Sequence, residues 1–489
     1  MKQRFYTWVI CACLGLTACQ SRIEVAHTLS CPPPLCPDYT EITLPPNIAP
    51  LHFCLPDSCR ATELQAHFTA GAEEWEATGN HGEVSLPAKK WRRLLQGAST
   101  VTVRLLARID GEWTAYAPFS LHVATEQVDS HLAYRLIEPG YETWNEMGIY
   151  QRCLENYEEK AILTNRQTGY GCMNCHSFCK QDPNQMLFHL RLDYGGTYLI
   201  DHGNIEKLNT KTPQTLSALV YPSWHPSGRY VAFSVNSTKQ MFHTTDRNRI
   251  EVMDFASDVV VYDIEQHTIL KSSLLSTPEA FETFPTFSPD GRTLYFCSAD
   301  SVSMPGNYDR VHYSLCSIGF DPDSRSFANR IDTLYNVRRE GGSVSFPRVS
   351  PDGRFLMFTR SHYGNFSIWH READLYLADL TDGSIRPLDS LNSHEVESYH
   401  SWSSNGRWVV FSSRRMDGLY TRPYIAYIDE EGNTGKPFVL PQERSDYYTM
   451  LMKSYNIPEF ITGPVTVEGH AITQIAKQSP GIDLTCIEK

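Results

Sequence analysis

The sequence predicts a mainly β chain: a five- or six-bladed β-propeller, preceded by a small immunoglobulin-like β-sandwich and a short helical segment. Three observations carry that reading. A turn-and-strand unit recurs four times in the C-terminal half. Short alternating segments of strand composition fill residues 41–125. Residues 147–165 have helical composition and lead into a cysteine–histidine motif.

The chain opens with Lys2 and Arg4, an apolar stretch over residues 5–16, and then Leu16-Thr17-Ala18-Cys19. The apolar stretch is too short for a finished membrane span and reads as a removed targeting segment, residues 1–18. The four residues ending at Cys19 resemble a bacterial lipobox. That resemblance implies a lipidated Cys19 at the mature N-terminus, on the cell envelope of a Gram-negative bacterium. Gln20 after the anchor implies the outer membrane, periplasmic face. No later stretch reaches the length of a membrane span, so the lipid is the expected membrane contact.

Residues 19–40 form the linker, stiffened by Cys31-Pro32-Pro33-Pro34-Leu35-Cys36-Pro37. In the sandwich, 41–125, the best strands flank the turn Asp110-Gly111. The Cys…Trp…Cys hallmark of true immunoglobulin domains is missing, and a spacer role is expected. The chain holds 14 cysteines. In an oxidising compartment many should pair. The local candidates are Cys31 with Cys36, Cys54 with Cys59, and Cys297 with Cys316, although connectivity does not follow from sequence.

Residues 126–185 carry Cys172-Met173-Asn174-Cys175-His176. C-x-x-C-H is the attachment signature of a c-type haem. On a helical turn both thiols share one face and reach the two vinyl groups, while the histidine binds iron from below. One covalent haem c is expected, on Cys172, Cys175 and His176. The sixth ligand is expected from His189, with Met186 as the rival. His189 sits on a strand reading Leu187-Phe188-His189-Leu190-Arg191, and a strand is the more rigid mount. Two other readings stay open. A Cys172–Cys175 or Cys172–Cys179 disulfide would leave His176 idle. Zinc on Cys172, Cys175, His176 and Cys179 is the last.

The repeat occupies residues 186–462. Its turns are Trp224-His225-Pro226-Ser227-Gly228-Arg229, Phe287-Ser288-Pro289-Asp290-Gly291-Arg292, Val349-Ser350-Pro351-Asp352-Gly353-Arg354 and Trp402-Ser403-Ser404-Asn405-Gly406-Arg407. Each follows an apolar residue and precedes a buried strand. Self-similarity at this period without helical pattern means a propeller, one blade per unit. A degenerate further unit starts near Leu187, with Gly195-Gly196 as its turn. The units resemble the WD40-like repeats of TolB-type propellers. That resemblance implies a scaffold that docks a periplasmic protein or redox partner. Similar propellers accompany hydrolase domains in prolyl oligopeptidase-like peptidases, but no G-x-S-x-G elbow occurs here. Residues 463–489 read as a tail. The net charge of −13 argues against nucleic acid as a partner. The combined expectation is a lipid-anchored cytochrome-like protein, more suited to electron transfer or binding than to catalysis. The alternative is a TolB-like interaction scaffold with a Cys172–Cys175 disulfide and no haem.

Overall fold

The computed structural model describes residues 23–138 and 145–489. The signal segment and Cys19 lie outside the described residues. Among the described residues no helix is long and apolar enough to cross a membrane.

Six four-stranded antiparallel blades form a β-propeller. Blade 1 is closed by the two ends of the domain. Its inner strand Ser454–Ile461 comes from the C-terminus and pairs with His131–Ile137, followed by Gly148–Cys153 and Glu159–Thr164. The inner strands of blades 2 to 6 are Met173–Phe178, Val220–Trp224, Ala280–Phe287, Ser343–Val349 and Glu397–Trp402. The four predicted turns join inner to second strands as expected. In blade 4, Ser288 Oγ donates to Asp290, whose carboxylate accepts from Arg292 N–H, and Gly291 takes φ 74°.

Three expectations change. Residues 147–165 are not helical, because their strands pair into blade 1. Glu155, Glu158, Glu159 and Lys160 supply the helical composition, yet they sit at the edge and hairpin of that sheet. The propeller therefore starts at His131 rather than at residue 186. The tail is also part of it: Gly469–Gln478 is a helix, Ile482–Asp483 extends blade 2, and Thr485–Glu488 extends blade 3.

The N-terminal β region precedes the propeller as expected. Seven strands hydrogen-bond as one sheet, in which Thr100–Ile109 pairs with Phe119–Val123 at its start and Glu112–Ala115 at its end. A two-stranded ribbon and the helix Ala88–Leu95 complete it; Trp91, Leu94 and Leu95 on that helix are buried. It is not a free spacer. Phe53, Phe68 and Leu105 belong to the same apolar core as Trp408, Ile425 and Phe438 of blade 6. Trp408 Nε1 donates to Glu126 O at 3.1 Å, and Asp129 accepts from Ser404 N–H at 2.7 Å.

Candidate binding site in the propeller channel

Each inner strand carries one extra residue that bulges toward the axis. The register slips at Asn174/Ser177, Val220/Ser223, Thr283/Thr286, Ser345/Arg348 and Ser398/His400, and blade 1 slips opposite Ala133/Arg135. The bulged residues are Cys175, Tyr221, Phe284, Phe346, Tyr399 and Ile457. All but Tyr399 have φ between 50° and 55°, the left-handed region a non-glycine residue visits only when its surroundings enforce it. Their side chains ring the channel. Tyr221, Phe284, Phe346 and Tyr399 pack in sequence, edge-on or tilted, with centroids 4.6, 4.5 and 4.3 Å apart.

The next residue is proline in four blades: Pro222, Pro285, Pro347 and Pro458. A bulge leaves backbone groups unpaired, so an N–H can be dispensed with there. In blades 2 and 6 the residue is instead His176 or His400. The parallel runs on: Cys175-His176-Ser177-Phe178 matches Tyr399-His400-Ser401-Trp402. Even a tertiary contact repeats. Trp224 Nε1 donates to Ser177 O at 3.2 Å, and Trp402 Nε1 donates to Arg348 O at 3.1 Å.

The C-x-x-C-H residues therefore lie on a bulged strand and not on a helical turn, and their side chains part. Cys172 packs with Met147, Met173 and Ile162 between blades 1 and 2. Cys175 lines the channel. Cys179 packs toward blade 3 with Leu219 and Trp224, where burial pushes its thiol up to about 11. His176 is 2% exposed, and neither ring nitrogen has a well-aligned hydrogen-bond partner, the Ile457 backbone being the polar group nearby. Burial, with the Arg135 cation adding to it, holds this imidazole down to about 3. The thiols do not share a cavity wall, so a haem joined through both does not fit this arrangement.

The expected sixth ligands are elsewhere. Met186 is fully buried opposite Phe178, within the core between blades 1 and 2. His189 shares the Leu187 face toward blade 3, as the strand period requires, and hydrogen-bonds Thr197 Oγ1 at 3.3 Å. Neither lines the channel cavities. Among the described residues no group of three or more His, Cys, Asp or Glu side chains gathers to hold a metal ion. Cys297 and Cys316 cannot pair as expected. Cys297 opposes Leu315 while Cys316 opposes Phe296, which puts the two thiols on opposite faces of blade 4.

Two cavities meet at the ring of bulged residues and share Tyr399 and Ile457. The narrow one, about 110 Å³, has His176, His400, Arg348 and Glu459 in its wall. His400 Nε2 donates to Met357 O at 3.0 Å, and burial holds its ring at about 3. Burial raises Glu459 to about 7. The wide one, about 260 Å³, is the mouth. Arg135, Arg191 and Arg414 line it, with Glu138 as the carboxylate, and Trp369, Tyr221 and Tyr399 are aromatic walls. Arg135 donates to Met173 O and Asn456 Oδ1, while its Nε and Asn174 Oδ1 are buried and unpartnered. The sequence offered no sign of this mouth, since its arginines come from segments far apart in the chain. The Cys175–Tyr399 parallel was available: Phe178 stands where Trp224, Phe287, Val349 and Trp402 stand.

No protein-family model matches the chain, and no curated protein matches it. Among solved structures it is similar to the tricorn protease (9% identity, TM-score 0.34, 80% of this chain and 43% of that one). It is also similar to prolyl oligopeptidase B from Galerina marginata (12%, 0.35, 62% and 41%). A third is the Porphyromonas gingivalis dipeptidyl peptidase 4 (11%, 0.29, 71% and 58%). The chain thus spans about two fifths to three fifths of these larger proteins.

Proposed function

We propose that this chain is a lipid-anchored envelope protein that binds through the wide mouth of its propeller channel and carries no covalent cofactor. The supporting observation is the mouth itself: arginines from three blades converge beside aromatic walls in a protein whose net charge is −13. A cationic, partly enclosed site on an acidic protein concentrates anions locally. The recognised group is therefore an anion attached to a flat apolar body, presented by a partner or a small ligand. Titration calorimetry with phenylacetate and phenylacetamide tests this. The acid should bind at least tenfold tighter, a gap of about 1.4 kcal/mol, and Arg191→Glu should erase the gap. Equal binding of the two compounds sinks the reading. The anchor has its own test: radiolabelled palmitate should be incorporated by the parent and not by Cys19→Ala.

A c-type cytochrome is the second reading. One observation favours it, the buried His176 ring with both nitrogens unpartnered. Intact-mass measurement after co-expression with haem-attachment machinery separates the readings. A mass increment of one haem, lost in Cys175→Ser, would overturn the first.

A further inference from the structure

The four cysteines of the linker and the first ribbon are arranged for a pairing different from the local one. One contact at each end brings the segment from Cys31 to Cys36 beside that from Cys54 to Cys59. Cys36 N–H donates to Cys54 O at 2.9 Å, so these two backbones are adjacent. Cys31 and Cys59 meet at Tyr116. Cys31 O accepts from Ala117 N–H at 3.0 Å, and the Tyr116 hydroxyl has the Cys59 thiol as hydrogen-bond partner and Cys31 as a neighbour. The two pairs sit symmetrically about one point in the numbering, so one antiparallel alignment puts both in register. Cys36 is also among the groups that push the Cys54 thiol up, after burial and Glu83. The local Cys31–Cys36 pair has no such contact behind it. Three prolines separate Cys31 from Cys36. Their fixed φ makes the stretch stiff, and its one bend is the turn in which Leu35 N–H donates to Pro33 O at 2.9 Å.

We propose that Cys36–Cys54 and Cys31–Cys59 are disulfides that fasten the linker to the N-terminal β region. Cys31 and Cys36 are exposed, so an oxidant has access. The oxidant is a disulfide-bearing compound or exchange protein. A cysteine thiolate attacks one oxidant sulfur and displaces the other as a thiolate. The partner cysteine then attacks the mixed disulfide and releases the second oxidant thiol. Each pair loses two electrons and two protons, and each oxidant disulfide becomes two thiols. The staples place the anchor's tether on the protein at two fixed points. The inference is independent of what the propeller binds.

The test uses the full chain exported to the periplasm and alkylated before unfolding. No Lys or Arg lies between Ile23 and Cys59, so trypsin keeps all four cysteines on one peptide. Cleavage before Asp38 and Asp57 instead yields a fragment with Cys31 and Cys36, one with Cys54, and one beginning at Asp57 with Cys59. Without reductant the three should travel as one species and separate on reduction. In a Cys31→Ser, Cys59→Ser variant only the first two should remain joined. A first fragment that runs alone, or four alkylated thiols, overturns the proposal. So does loss of the join between the first two fragments in the variant.

Discussion

Blades 2 and 5 present the same backbone to the channel with different chemistry. In blade 5 the bulge is Phe346 followed by Pro347; in blade 2 it is Cys175 followed by His176. Phe346 packs between Phe284 and Tyr399 and is 2% exposed. Cys175 closes the same ring with one sulfur. The position is thus set by the architecture, which must turn an inner strand around the axis, while the residue type is left to local demands. A short motif embedded in a repeat has to be read against the repeat first. Cys-His in blade 2 is the counterpart of Tyr-His in blade 6 and of aromatic-Pro in blades 3, 4 and 5.

The comparison breaks most visibly by truncation. Phe346→Ala removes a ring from the middle of the aromatic stack and should cost about 3–5 kcal/mol in denaturant unfolding. Cys175→Ala removes one sulfur and should cost about 1 kcal/mol. Equal losses would mean that blade 2 contributes to the ring as blade 5 does.

The next effect is in the pH dependence. His176 and His400 sit near 3 in the fold, against 6.5 for the free side chain. Between those limits the unfolded chain binds the extra protons. Stability should therefore fall as pH drops from about 6.5 toward 3, by about 1.4 kcal/mol per pH unit for each ring. Glu459 acts oppositely. Its folded value of about 7 exceeds the usual 4.5, so the fold holds its proton and loses that contribution as pH rises from 4.5 through 7. Replacing His176 with the proline of the other blades should flatten the acid limb by one proton and leave the fold intact. Urea midpoints at pH 4, 5 and 6 give the slope. An unchanged slope would show that His176 is not held neutral by burial. Glu459→Gln should make the acid limb steeper over pH 4.5–6.5.

What was legible in the sequence follows from how local each signal is. The four turns are legible because a turn that ends in Ser, Asp or Asn followed by Gly is complete within six residues. Blade 2 was only half read. Its inner turn, Cys179-Lys180-Gln181-Asp182, has no glycine, and Lys180 and Gln181 take the positive φ themselves at 49° and 59°. Blade 1 stayed hidden because His131–Ile137 pairs with Ser454–Ile461, more than 300 residues away. No propensity records such a pairing. The same distance hid the mouth, where Arg135, Arg191 and Arg414 become neighbours only once the ring closes. His189 is on the strand the sequence predicts, but its face packs toward blade 3 and does not line the channel.

The smallest effect on stability is also the sharpest for function. Cys175→Tyr puts in blade 2 the residue that blades 3 and 6 already carry at this position, on a backbone with φ 55° against 50° at Tyr221. The bulge already tolerates a tyrosine and the ring enters an open cavity, so unfolding should change by no more than the roughly 1–3 kcal/mol that added bulk costs in a packed core. The cavity should not be so tolerant. Cys175 lines the wide mouth beside Tyr221 and Tyr399, and a phenol ring added there takes up space that is only about 260 Å³ to begin with. Phenylacetate binding should weaken at least tenfold while the fold holds. If binding is unchanged, the ligand does not descend to the ring. Recognition then belongs to the outer rim around Arg191 and not to the channel.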